Sequence, residues 1–177
     1  MSTDAIVMLR EDHRRIRKLI RAYRAAGGGP GTGRAGEGTA ADTGGRGEVM
    51  DELLHELTVH TYVEEEVVYP LVRRLVPETD SLVLEFHEEH HVADVLAAEL
   101  AGMKPEDESF DAKARVMADA VERHMQSEEQ QWFPRVRESL GRKELQAIGS
   151  RMAEVREKAP ARPRQPLLRR VADALAA

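Results

Sequence analysis

Apolar residues recur at helical spacing in several long segments of the 177-residue chain, and Gly- or Pro-containing breaks separate them. From residue 4 to about 25, Ile6, Leu9, Ile16, Leu19, Ile20 and Tyr23 share one stripe, with Ser2, Thr3 or Asp4 available as N-cap. A second helix is expected from about 48 to 76 through Val49, Leu53, Leu57, Val67, Val68, Leu71 and Leu75. It contains Pro70, which removes a backbone donor and should kink it. A third runs from about 80 to 102, opened by Thr79, Asp80 or Ser81 and closed near Gly102. A fourth covers about 111 to 140 and ends at Gly141, read as a left-handed C-terminal residue. A weaker fifth, about 142 to 158, carries Leu145, Ile148, Met152 and Val155. The pattern predicts an all-α fold: an up-down-up-down four-helix bundle with a long Gly-rich loop between helices one and two and a C-terminal helical extension.

Composition sharpens that picture. Residues 26 to 47 hold ten of the thirteen glycines and lack the GK[ST] ending of a phosphate loop, so they read as a flexible insertion. The bundle then occupies 1–158, and 159–177 is a Pro/Arg-rich tail with a short amphipathic helix in "LLRRVADALAA". The basic residues from Arg156 onward are expected to be solvated. A net charge of −6 gives no basic face for nucleic acid. No run approaches the ~18 apolar residues of a membrane span, and the N-terminus lacks the layout of a signal peptide, so a cytoplasmic protein is expected. There is no cysteine, which excludes disulfides, thiolate metal sites and cysteine nucleophiles.

Two segments then stand out. "HTYVEEEVVYP" (60–70) and "HMQSEEQQWFP" (124–134) share His, three residues, Glu-Glu, three residues, an aromatic and Pro. With an advance of about 100° per residue and His60 at zero, Leu53 and Leu71 fall near 20°, Val67 near −20° and Glu64 near 40°. His60 and Glu64 therefore lie within the apolar stripe. Around His124, Met117, Glu128 and Val121 fall near 20°, 40° and 60°, which repeats the arrangement. Helices one and three each contribute one inward histidine, His13 and His90, flanked by Ile6, Leu9, Ile16 and Ile20 in one case and by Val83, Phe86, Ala93 and Ala97 in the other. Asp12 and Glu89 precede these two histidines. The chain is thus a repeated helix pair.

Glu64 and Glu128 inside a bundle core would cost several kcal/mol per ion without compensation. Two cations held by His13, His60, Glu64, His90, His124 and Glu128 would supply it, and nitrogen and oxygen donors without thiolate suit iron or manganese, with zinc also possible. His87 and His91 offer an alternative to His90; they fall near 60° and 100°, and His90 is preferred as the central one. Glu65 and Glu129 rotate to about 140° and read as outer partners or surface charges, and His55, near −140°, as exposed. A ferritin-like di-iron oxidase would use Glu-x-x-His pairs, and "ELLH" (52–55) and "EEHH" (88–91) have that spacing but face solvent. A metal-free structural bundle is the remaining alternative.

The arrangement resembles the hemerythrin-like, or HHE cation-binding, family of non-haem di-iron four-helix bundles, over about residues 5 to 140. The resemblance rests on "LREDH" with His13, "HTYVEEEVVYP" with His60 and Glu64, "EEHH" with His90, and "HMQSEEQQWFP" with His124 and Glu128. It implies two iron ions bound by the imidazoles and bridged by Glu64, Glu128 and an oxo or hydroxo group. It further implies a small partner, namely dioxygen, peroxide or nitric oxide, in oxidative or nitrosative stress response or in iron and oxygen sensing. Peroxide-consuming enzyme and ligand-binding sensor both remain open at this level.

Overall fold

The computed structural model describes residues 4–28 and 40–163. The caps Ser2 and Thr3, most of the glycine-rich stretch and the expected tail helix lie outside the described residues. Helix α1 spans Ala5–Tyr23, with the Asp4 carboxylate accepting from the Val7 amide as N-cap. Helix α2 spans Ala40–Val63 and passes through a π-helical turn, Glu64–Val68, into α3, Tyr69–Leu75. Helix α4 is Asp80–Leu100. Helix α5, Phe110–Ser127, likewise passes through a π-helical turn, Glu128–Trp132, into α6, Phe133–Ser139. Helix α7, Arg142–Arg156, forms the C-terminal extension.

The start of α2 corrects the expected extent of the insertion: residues 40–47 are helical despite three glycines. Tertiary contacts outweigh glycine's low helix propensity there. Arg46 donates to Asp111 and to the Pro105 carbonyl, and a Cβ on Gly47 would sit 3.2 Å from the Pro105 ring. Tyr23 donates to the same Asp111, so that carboxylate ties α1, α2 and α5 together at one end.

A second correction concerns register. Leu71 and Leu75 were expected in the core, yet Leu71 is only partly buried and Leu75 is 44% exposed. Tyr69, Val72 and Val76 take their place. The π turn explains the slip, because one extra residue per turn moves every following side chain around the helix. Its cause is Pro70. A proline has no N–H and its ring crowds the carbonyl four residues back, so the Tyr69 amide bonds instead to the Glu64 carbonyl, five back. Pro134 does the same in the second copy, where the Phe133 amide reaches the Glu128 carbonyl. The kink expected at one proline is realised as matching π turns at both.

Gly141 is also corrected. It is extended rather than left-handed (φ −73°, ψ 168°) and serves as the N-cap of α7.

The core falls into two apolar clusters, and each of the four long helices crosses from one to the other. The lower contains Leu9, Val63, Val67, Tyr69, Phe86, Trp132 and Phe133, and the upper contains Ile16, Ile20, Leu57, Ala93, Val121 and Met125. Along α1 the order is Leu9, His13, Ile16; along α4 it is Phe86, His90, Ala93. Along α2 and α5 and the π turns that continue them the order reverses, from Leu57 through His60 to Val67 and from Val121 through His124 to Trp132. Up-down-up-down topology follows from that alternation. A single layer of buried polar side chains therefore separates the clusters at mid-bundle. The lower cluster also takes in Leu145, Ile148 and Met152 of α7, so the extension belongs to the core.

Candidate metal centre

The six expected residues, His13, His60, Glu64, His90, His124 and Glu128, are all buried in that layer. Their inner atoms converge. His60 Nε2 lies 3.2 Å and His90 Nε2 3.4 Å from Glu64 Oε2. His13 Nε2 lies 3.2 Å and His124 Nε2 3.5 Å from Glu128 Oε2. Donor atoms of His13, His60, Glu64 and Glu128 fall within 4.8 Å of one another, as do those of Glu64, His90 and His124. Glu64 belongs to both groups.

Each outer imidazole nitrogen faces a carboxylate on another helix. His13 Nδ1 is 2.8 Å from Glu129, His124 Nδ1 2.7 Å from Glu89, and His90 Nδ1 3.4 Å from Glu65. His60 Nδ1 faces Asp12 at 3.7 Å, beyond hydrogen-bond length. A carboxylate on Nδ1 keeps the proton there and leaves Nε2 as a lone-pair donor, which is how metal-binding imidazoles are oriented. The sequence offers Glu65 and Glu129 as outer partners or surface charges and places Asp12 and Glu89 beside their histidines, and the structure adds which imidazole each one faces.

The donor set fits cations on a second count. His13 Nε2, both nitrogens of His60, Glu64 Oε1 and Glu128 Oε2 are buried without a hydrogen-bond partner. Buried polar atoms ordinarily find partners, since an unsatisfied one costs about 1–3 kcal/mol. Four residues carrying such atoms, with donor atoms within 4.8 Å of one another, call for a group not made of protein.

Protons take up part of that role in the metal-free chain. Burial lowers the His13 pKa, but Glu128 and Glu129 outweigh it and push it from 6.5 up to about 9. His90 is likewise lowered by burial and raised more strongly by Glu64 and Glu65, to about 10. Burial would raise Glu128, yet His124 and His13 hold it well below the usual carboxylate range. These are directions set by close ion pairs, and the same fields would favour divalent cations over protons.

Tyr69 was missed. Its buried hydroxyl donates to Glu128 Oε1 at 3.0 Å and lies 3.4 Å from Glu64 Oε2 and 3.3 Å from His90 Nε2. Burial first, then Glu128 and Glu64, raise its pKa well above 10, so it stays protonated. A uniform advance of about 100° per residue puts Tyr69 opposite His60, and only the π turn brings it inward. The signal that could have found it is the aromatic-Pro pair repeated in both copies. At the matching position Phe133 stacks on His13, with centroids 5.6 Å apart.

The structure separates the histidine alternatives of α4. His90 points into the layer, His91 is exposed, and His87 is half-buried with its ring edge-on to Tyr69 at 5.2 Å. Glu52, His55 and Glu88 are exposed, so the ferritin-like pairs do not meet. Arg156, expected in solvent, turns inward and pairs with Asp12.

Comparison with known proteins agrees with this geometry. The hemerythrin HHE cation binding domain matches residues 4–136, most of the chain, and the protein belongs to that family. A hemerythrin HHE cation binding domain-containing protein from Mycobacterium kansasii superposes with a TM-score of 0.67 over 89% of this chain and 87% of that one, at 23% identity, which supports the fold. A DNA nickase from Nostoc sp. is 31% identical over 93 residues, or 52% of this chain. The chain covers only 26% of that relative's length.

Proposed function

We propose that this protein is a non-haem di-iron protein that binds or processes a small oxidant or diatomic ligand: dioxygen, peroxide or nitric oxide. His13, His60 and Glu128 would hold one ion, His90 and His124 the other, with Glu64 shared between them. Manganese and zinc are the alternative metals. The observation that carries this reading is the set of partnerless buried atoms His13 Nε2, His60 Nε2, Glu64 Oε1 and Glu128 Oε2, on four side chains whose donor atoms gather within 4.8 Å of one another. When bound, an iron pair supplies reversible one-electron chemistry and open coordination positions.

The chain's own residues restrict what can reach that point. A cavity of about 10 Å³ lies beside His90 and His124, walled by Leu57, Ala93, Val121 and Met125. That is barely room for one water-sized molecule, a size that favours a ligand of very few atoms over an organic substrate. On the lower side Tyr69 holds a proton directed at Glu128, so a fixed donor sits at the site. No helix among the described residues is long and apolar enough to cross a membrane, in keeping with a cytoplasmic role in stress response or sensing.

Metal analysis of full-length protein purified aerobically tests the proposal. About two iron ions per chain are expected, with a near-ultraviolet absorption that changes on adding peroxide or nitric oxide. Steady consumption of peroxide would mark an enzyme, and a stable spectral change without turnover a sensor. Protein that binds no iron and keeps its melting temperature in chelator would favour the metal-free structural bundle.

A further inference from the structure

The outer carboxylates of the four histidines are not held alike. Glu89 and Glu65 have side chains 35% and 31% exposed. Asp12 is only 3% exposed, and each of its oxygens meets a guanidinium: Oδ1 takes Arg15, and Oδ2 takes Arg156. Oδ2 is also the atom that faces His60 Nδ1. Arg15 comes from the turn next to Asp12 on α1 and is itself drawn toward Glu56 at 3.2 Å. Arg156 comes from the last turn of α7, on a stretch that begins after the family match ends at residue 136.

We infer that Arg156 is a positioning residue for the metal centre: α7 reaches back over α1 and uses this guanidinium to hold the Asp12 carboxylate in place over His60. The inference rests on the metal reading above. Asp12 needs such help because aspartate is one methylene shorter than glutamate. Glu89 reaches its histidine at 2.7 Å unaided, whereas Asp12 stops at 3.7 Å and has its direction fixed from outside. A buried carboxylate with one guanidinium removed would turn toward Arg15, since charge-assisted pairs are the strongest alternatives in a poorly solvated site. His60 Nδ1 would then lose the carboxylate that faces it. The anchoring of α7 by Leu145, Ile148 and Met152 places Arg156 without help from the metal.

The test uses the full chain loaded with iron(II) and measures iron release to excess chelator. His124→Ala serves as background, because it weakens the opposite half and isolates release from the His13/His60 half. Adding Arg156→Met should speed that release about tenfold, within the 10–100-fold range for outer partners of metal ligands. Arg156→Lys, which keeps the charge, should release more slowly than Arg156→Met. Arg137→Met breaks a surface pair with Asp4 at 2.9 Å and should match the background. The inference is overturned if Arg156→Met releases within about twofold of the background. It is also overturned if Lys and Met behave alike and both lower the melting temperature of the metal-free chain equally, which would mark a purely structural pair. Wild-type protein that takes up no iron sinks the metal reading instead, and with it this inference.

Discussion

The two halves of the bundle carry the same inward pattern in different surroundings. In the first, His60 and Glu64 of α2 and the following turn stand beside His13 of α1; in the second, His124 and Glu128 stand beside His90 of α4. The directions repeat because His, Glu and Pro recur at identical spacing, and each Pro forces the same π turn. The neighbours do not repeat. The aromatic before Pro is Tyr69 in one copy, with its hydroxyl on Glu128, and Phe133 in the other, stacked on His13. The carboxylate before the α1 histidine is a buried Asp12 between two arginines, while its counterpart Glu89 is partly open to solvent. A sequence repeat therefore fixes where donors point, and the residues between set how basic, how rigid and how accessible each donor is. The two cation positions should differ accordingly.

The most forceful way to break the comparison is to remove one donor from one half. His90→Ala should lose more than about 100-fold in affinity for the second ion, exceeding the effect of any outer partner. His91→Ala, on the exposed face of the same helix, should bind like wild type. Iron titrations of both variants check this. Equal iron in wild type and His90→Ala would remove His90 from the site.

Next in size is pH. In the metal-free chain His13 and His90 have pKa values raised from 6.5 to about 9 and about 10. The sign follows: their contribution to stability is complete below about pH 6.5 and is lost as pH rises through 9 to 10. Asp12 and Glu129 are lowered to about 2, so their contribution is present above about pH 4 and lost as pH falls toward 2. Burial opposes the Asp12 shift and is outweighed by His60 and Arg156; for Glu129 the bond from His13 is the main cause. Chelator-treated protein should melt highest in the mildly acidic range. Iron affinity should show the opposite slope and rise between pH 6 and 9, by about tenfold per unit for each proton displaced. Calorimetry and competitive titration across that range read both slopes, and a flat iron affinity would contradict them.

A smaller effect sharpens the asymmetry. Tyr69→Phe makes the first copy resemble the second and leaves Glu128 Oε1 without its donor, at a cost of about 1–3 kcal/mol in the metal-free chain. It should also shift the absorption of the loaded protein, whereas deleting 159–177 should leave that absorption and the iron content unchanged. A Tyr69→Phe spectrum identical to wild type would place the hydroxyl outside the site's chemistry.

Much of this was legible from residue order. The helices, their reversal and the inward set His13, His60, Glu64, His90, His124 and Glu128 follow from a period of about 3.6 residues, because buried helices keep one apolar face and polar residues on that face are conspicuous. What the period could not carry lies past the π turns. Leu75 faces solvent and Tyr69 faces the site because each follows an extra residue that a uniform helix lacks. The pairings of the outer ring were hidden for another reason. Glu129 with His13 and Arg156 with Asp12 are separated by 116 and 144 residues, and such pairings depend on how helices dock, which spacing along one helix does not encode. The early start of α2 belongs with them, since Arg46 and Gly47 meet partners in the connection before α5 and at its start.

Diffraction from crystals of aerobically purified protein, recorded on both sides of the iron absorption edge, tests the central claim most directly. Two anomalous peaks in the polar layer are expected, one against His13 and His60 and one against His90 and His124, with Glu64 touching both. A single peak, a peak elsewhere, or an iron-free layer with the imidazoles bonded only to carboxylates would contradict it.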